Sequence, residues 1–283
     1  MSFKPKQSGG NHTFDSTAKY PVPESGNSEA RISMIIDLGT QEREDFEDPV
    51  TKEVKPQKPC QQVVVFADLV EQVVDYGGDI GEAQYRLCLN KNFKGVVEGI
   101  NFTAVPPRDA KGDIIKDKLY SFHPANMLTK IAKATGHTEI LGVSQEHNMD
   151  IERLLGEPLM IDVSVKETDS GKTDDKGEPI IYKNVNFGTL STVPKKNLAN
   201  FGKLQAEPLL ITFDNATPET VKFIRKNLIE KIKLAQNYAG SNMQKAIEAL
   251  EGKGGGEVKK EPKPKVDLPD IPDEDLDSSE LPF

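Results

Sequence analysis

Tryptophan is absent from the 283 residues, and aromatic residues make up only 6% of them. An aromatic side chain set among cations therefore stands out against a sparse background. Cysteine is nearly as scarce. Cys60 and Cys88 stand 28 positions apart with no Cys-x-x-Cys pair and no neighbouring histidine pair, so neither a disulfide framework nor a zinc site is indicated. There is no run of 18 or more apolar residues, and MSFKPKQSGGNHTFDS is polar throughout. These features predict a soluble, untargeted chain in a reducing cytoplasm, with no membrane partner.

Recognisable catalytic groupings are missing as well. His12, His123, His137 and His147 are scattered, with no His-Glu-x-x-His and no cluster at ligand spacing. Gly171-Lys172-Thr173 resembles the end of a phosphate loop, but Lys166 stands where the first glycine is needed. The segment Tyr76-Gly77-Gly78-Asp79-Ile80-Gly81 has the wrong glycine spacing for a dinucleotide fingerprint and reads as a turn. The acids of EREDFEDP lack the alternating ligands and fixed glycine of a calcium loop. The sequence thus predicts no enzyme, no cofactor and no metal.

Residues 1 to 29 are rich in Gly, Ser, Pro, Asn and Lys and read as a flexible arm. A body from 30 to 216 follows. In RISMIIDL, Ile32, Met34, Ile36 and Leu38 alternate, predicting a strand with those four side chains on one face. Residues 40 to 59 break the pattern with proline and charge and read as a long exposed loop. The β-branched run QQVVVFADLVEQVVDY is too long for one flat strand and predicts a bend or a bulge. QYRLCLN and FKGVVEGINFTAVPP continue the strand signals.

The period then changes. HPANMLTKIAKATGH has Met127, Leu128, Ile131 and Ala132 at helical spacing and Gly136 as a stop, and NMDIERLLG predicts a second short helix. Leu159, Ile161, Val163 and Val165 alternate, a polar loop spans 168 to 178, and a return strand follows from Ile180 to about Leu190. Three strand segments, a helix and two strands are the layout of an OB-fold. The predicted class is therefore mainly β with helices: a five-stranded Greek-key barrel with a helix between strands 3 and 4.

Residues 217 to 250 read as one amphipathic helical segment after the barrel, started by Thr217 and Pro218, with Val221, Ile224, Leu228, Ile232 and Ala235 as its apolar stripe. Its cations are either a solvated face or a basic wall beside a groove. A Lys/Gly/Pro linker from 251 to 266 and an acidic, unstructured tail from 267 to 283 complete the layout.

The formal charge of −9 speaks at first against a polyanionic partner. However, residues 267 to 283 hold seven acids and no base, while 251 to 266 hold five lysines against three glutamates, so the first 250 residues carry only −4. A local basic groove is compatible with that balance. Binding single strands without regard to sequence needs cations along the phosphates and aromatic faces for the bases. Three stretches offer both. Tyr85 and Arg86 precede Lys91, Phe93 and Lys94; Lys118 precedes Tyr120 and Phe122; and Tyr182, Lys183 and Phe187 precede Lys195 and Lys196. If those segments are extended, Tyr120 and Phe122 share a face, whereas Tyr182 and Phe187 do not.

The tail ends Glu280-Leu281-Pro282-Phe283, three residues ill suited to water after a run of acids. A terminal ring with a free carboxylate is a compact ligand: an apolar pocket takes the ring, a cation or backbone nest takes the carboxylate, and proline limits the entropy lost. Asp273, Glu274, Asp275, Asp277 and Glu280 add electrostatic steering.

A linker, an acidic run and a final Leu-Pro-Phe resemble the C-terminus of bacterial single-stranded-DNA-binding proteins, with leucine in place of isoleucine. The larger body with its longer tail is similar to the single-stranded-DNA-binding proteins of bacteriophages. The resemblance implies a protein that coats single-stranded DNA in replication, recombination or repair, in the host cytoplasm if it is a phage protein. It also implies that the tail recruits replication proteins, a polymerase, helicase or primase, nuclease or recombinase. The bacterial family's DNA contacts and tetramer do not transfer, because length, loops and the post-barrel helix differ, and the oligomeric state stays open. The competing reading is a protein-only adaptor or virion component whose barrel never meets nucleic acid.

Overall fold

The computed structural model describes residues 21–77, 80–90, 92–93, 96–102, 111, 120–143, 150–173, 177 and 179–253. Its first strand, β1 (Gly26–Gln41), begins inside the predicted arm and turns over partway along. Ile32 pairs with Ala67 and Met34 with Phe66, leaving Ser33 as an extra, bulged residue. A single inserted residue moves every later side chain to the opposite face. Ala30 and Ile32 therefore join one core, and Met34, Ile36 and Leu38 join another, so the expected one-face alternation is corrected at Ser33.

β2 (Cys60–Asp75) runs antiparallel to β1, and its 16 residues bend as their length requires, with a register shift between Leu69 and Val73 against β3 (Glu82–Cys88). Val63, Val65, Ala67 and Leu69 enter the first core, while Val64 and Phe66 enter the second. Burial on both faces explains why this strand reads as an almost unbroken apolar run. The loop between β1 and β2 holds a short exposed ribbon, Phe46–Glu47 against Val54–Lys55.

Helix α1 (Met127–Thr135) covers the first face with Leu128, Ile131 and Ala132, all fully buried. Asn126 caps it by accepting from the Leu128 N–H, and Gly136, at φ 85°, closes it in the left-handed conformation. The predicted second helix is a single 3-10 turn, Ile151–Leu154. β4 (Pro158–Thr173) and β5 (Pro179–Ser191) then form the expected hairpin, with one correction: residues 168 to 173, read as loop, belong to β4, and the ladder continues to Thr173 and Pro179.

The antiparallel path is β5-β4-β1-β2-β3; β6 (Leu209–Ile211) adds to β1 in parallel, and Ile100–Asn101 adds to β2, making seven strands. Among the described residues no ladder joins β3 to β5, so the sheet is open rather than closed into a barrel.

The predicted single helix over 217 to 250 is three helices: α2 (Pro218–Val221), α3 (Lys226–Lys233) and α4 (Asn242–Lys253). Thr217 and Thr220 form a reciprocal capping box at the start of α2, with Pro218 in the first turn. The expected stripe of Val221, Ile224, Leu228, Ile232 and Ala235 is buried against Met34, Ile36, Leu38 and Phe66, with Met243 and Ile247 of α4. No helix among the described residues is long and apolar enough to cross a membrane.

Candidate nucleic-acid interface

Arg86 and Asp68 face each other across the β2–β3 ladder. The Arg86 Nε donates to Asp68 Oδ1 at 2.8 Å and its Nη2 to Oδ2 at 2.9 Å, while the bulged Ser33 hydroxyl donates to Oδ1 at 2.6 Å. Burial alone would lower the pKa of Arg86, but the Asp68 carboxylate, through its hydrogen bonds and charge, outweighs it and holds the guanidinium charged. The predicted phosphate ligand is therefore already matched by a carboxylate whose side chain is only 7% exposed.

Tyr76 accepts a hydrogen bond from the Arg86 N–H at 3.1 Å, and burial raises its pKa. Burial also pushes Tyr85 up to about 12. Both phenols stay neutral at ordinary pH, and Tyr85 packs partly against the first core. Arg225, from the turn before α3, lies over the Phe66 ring at 5.7 Å and acts electrostatically on Tyr76, Tyr85 and Cys88. Arg225 is one of the cations read from the sequence as either a solvated face or a basic wall; its contact with Phe66 was not foreseen, because 217 to 250 read as one helix.

The hairpin treats its candidates unequally. Tyr182 is 55% exposed, opposite Thr168, and its neighbour Ile181 is exposed too. Lys183 lies opposite Glu167 and pairs with it at 3.3 Å. Phe187, opposite Val163, is half-buried against the first core. No register shift separates residues 182 and 187, so the two rings do face opposite ways. Lys195 and Lys196 are exposed, in a segment whose Val193 and Phe201 pack on Val70 of β2.

Phe122 is a correction. It is 5% exposed and meets Phe102 edge-on, with ring centroids 5.6 Å apart, so it has no face free for a base. For Phe93 and Tyr120 only backbone is described, in the short strands Asn92–Phe93 and Tyr120–Ser121. Lys91, Lys94 and Lys118 lie outside the described residues, as do the linker from 254 and the partner-binding residues Asp273, Glu274, Asp275, Asp277, Glu280, Leu281, Pro282 and Phe283.

Nothing in the described part arranges side chains for metal chemistry: no group of three or more His, Cys, Asp or Glu there is placed to hold an ion. Cys60 and Cys88 are free thiols, and burial raises the pKa of Cys88. His137 sits between Glu139 at 2.9 Å and Glu157 at 3.3 Å, and its pKa is raised chiefly by the hydrogen bond to Glu139. It tethers the turn after α1 to the start of β4. No family model, curated protein or solved structure matches the chain.

Proposed function

We propose that this protein binds single-stranded DNA without regard to sequence and brings replication, recombination or repair enzymes to it through its acidic C-terminal segment. The observation that carries the reading is the strand order β5-β4-β1-β2-β3 with α1 lying between β3 and β4 in the chain. That is the succession of an OB-fold, a small barrel often left partly open, which binds oligonucleotides across strands 2 and 3 and the loops joining strands 1 to 2 and 4 to 5. On this reading Tyr182, exposed on β5 and opposite Thr168 of β4, is on the strand that follows the second of those loops. The Leu281-Pro282-Phe283 ending after a run of acids supports the recruiting half of the reading.

Titrating the full chain with labelled oligo(dT) at two salt concentrations tests it. Phosphate contacts make the affinity fall steeply with salt, by a log–log slope of about 0.7 per phosphate neutralised on a single strand. A chain that leaves oligo(dT) unbound at low salt is no single-strand binder.

Two observations favour a second reading, a protein-only adaptor. Both faces of the central strands are covered, one by α1 and the other by α2 to α4, and two predicted cations, Arg86 and Lys183, are paired with carboxylates.

A further inference from the structure

The turn between α2 and α3 and the first residue of α3, Lys222-Phe223-Ile224-Arg225-Lys226, pack three cations and an aromatic into five residues with no acid among them. Val221 and Ile224 anchor it, at 0% and 5% exposure, in the second core. With those two pointing inward, Lys222, Phe223, Arg225 and Lys226 are all exposed, Phe223 at 43%. The Lys222 ammonium lies 5.3 Å from that ring, and Arg225 reaches back over Phe66 of β2 at 5.7 Å.

That contact ties the turn to the sheet. Phe66 pairs with Cys88 of β3, and Arg86 stands two residues before Cys88, hence on the same face of that strand. The helical cap thus places an exposed basic and aromatic turn at the margin of strands β2 and β3, in a body whose overall charge is negative.

We infer that this turn is a contact site for single-stranded DNA, Lys222, Arg225 and Lys226 taking phosphates and Phe223 offering its ring to one base. The inference rests on the single-strand reading above and assigns part of its site to residues of the cap rather than of the sheet. The charge sign selects a polyanion, and the exposed ring selects one whose bases are unpaired, since duplex bases present no free face. Guanidinium and ammonium groups beside aromatic rings serve both phosphate contact and base stacking.

The experiment compares the full chain with Phe223→Ala, Phe223→Tyr and the double variant Lys222→Ala, Arg225→Ser in oligo(dT) titrations at two salt concentrations. The serine supplies the side-chain oxygen that α3 lacks at its N-cap, which favours folding of the double variant. Phe223→Ala is expected to weaken binding about 5- to 150-fold, the loss of one stacked base, with Phe223→Tyr near wild type. The double variant is expected to reduce the salt slope by about 1.4, or 0.7 for each cation removed.

Wild-type binding with unchanged variants overturns the inference and leaves the single-strand reading standing. A wild type that leaves oligo(dT) unbound at low salt overturns both. Tighter binding by the double variant also overturns it, since the turn then holds a competitor such as the acidic segment 267 to 283. Should the variants fail to fold, photocrosslinking of the wild type to an oligonucleotide containing 5-iodouracil decides: an adduct on Phe223 supports the site, and adducts only elsewhere overturn it.

Discussion

Arg86 grips Asp68 through two parallel hydrogen bonds, 2.8 and 2.9 Å long, across neighbouring strands. The carboxylate is buried and the guanidinium only partly so, with side-chain exposures of 7% and 32%. Such a fork is geometrically specific, and its removal from one side strands a charge. Arg86→Ala is therefore expected to lower unfolding stability by about 3 kcal/mol, the low end for a buried pair because the arginine is partly solvated. Urea denaturation checks this, and the double variant Asp68→Leu, Arg86→Met is expected to recover much of the loss. Loss of DNA binding by Arg86→Ala alone would not identify a phosphate ligand.

Phe122 and Tyr182 should exchange the roles that their residue types suggest equally. Phe122→Ala opens a cavity beside Phe102 and is expected to cost about 3 to 5 kcal/mol in stability. Oligo(dT) affinity per folded molecule should not change. Tyr182→Ala, on the exposed hairpin, should alter stability by no more than about 0.5 kcal/mol. Under the proposed function it weakens oligo(dT) binding by about 1 to 3 kcal/mol.

Gly39 is where β1 meets the helical cap. Its φ is 76°, and an added Cβ would fall 2.5 Å from the Asn237 Oδ1 and 2.6 Å from the Phe213 Cζ. Gly39→Ala combines left-handed strain of about 1 to 2 kcal/mol with overpacking of about 1 to 3 kcal/mol. Gly136→Ala, at φ 85° with open space around the new methyl group, should cost only the strain. Thermal unfolding of the two variants side by side separates the terms.

Asp37 carries a pH dependence. Burial raises its pKa above the ordinary carboxylate value, although it accepts hydrogen bonds from the Gly39 N–H and from Gln61. The folded chain therefore holds this proton to a higher pH than the unfolded chain does. The resulting penalty is absent below the unfolded pKa, grows as pH rises through the folded pKa, and is complete above it. Asp37→Asn keeps an oxygen for the Gly39 N–H and, with the Gln61 amide turned over, the contact to Gln61; the smaller contribution from the Phe213 N–H is the one it puts at risk. It is expected to melt higher than wild type at neutral pH, with the advantage shrinking as the pH is lowered.

Deleting residues 267 to 283 removes seven acids from the chain. If that segment competes with phosphates for cations, oligo(dT) affinity rises, and capture of replication proteins is lost. Binding assays on the deleted chain read both; unchanged affinity with intact recruitment removes the segment from the mechanism.

Periodicity made much of the cap and the strands legible. The stripe from Val221 to Ala235, the alternation from Leu159 to Val163, the stop at Gly136 and the start at Thr217 all follow from local backbone geometry, and each is where that geometry puts it. Two helix ends inside 217 to 250 were not legible, because Ile224 and Ala235 carry the buried stripe on across residues that have already left the helix.

Residue types suggested the chemistry of the candidate site but not which side chains are available for it. Sequence alone determined that the chain alternates strands and helix in a set order, that its acid is concentrated beyond residue 266, and that its aromatics keep company with lysines. The tertiary structure decided which of those side chains are available. Ser33 bulges and reverses the face of β1; Asp68 claims Arg86; the first core takes Phe122; and the cap sets Arg225 on Phe66. Each of these outcomes is a contact between segments distant in the chain, and residue spacing carries no information about which distant partner will neutralise a charge or bury a ring.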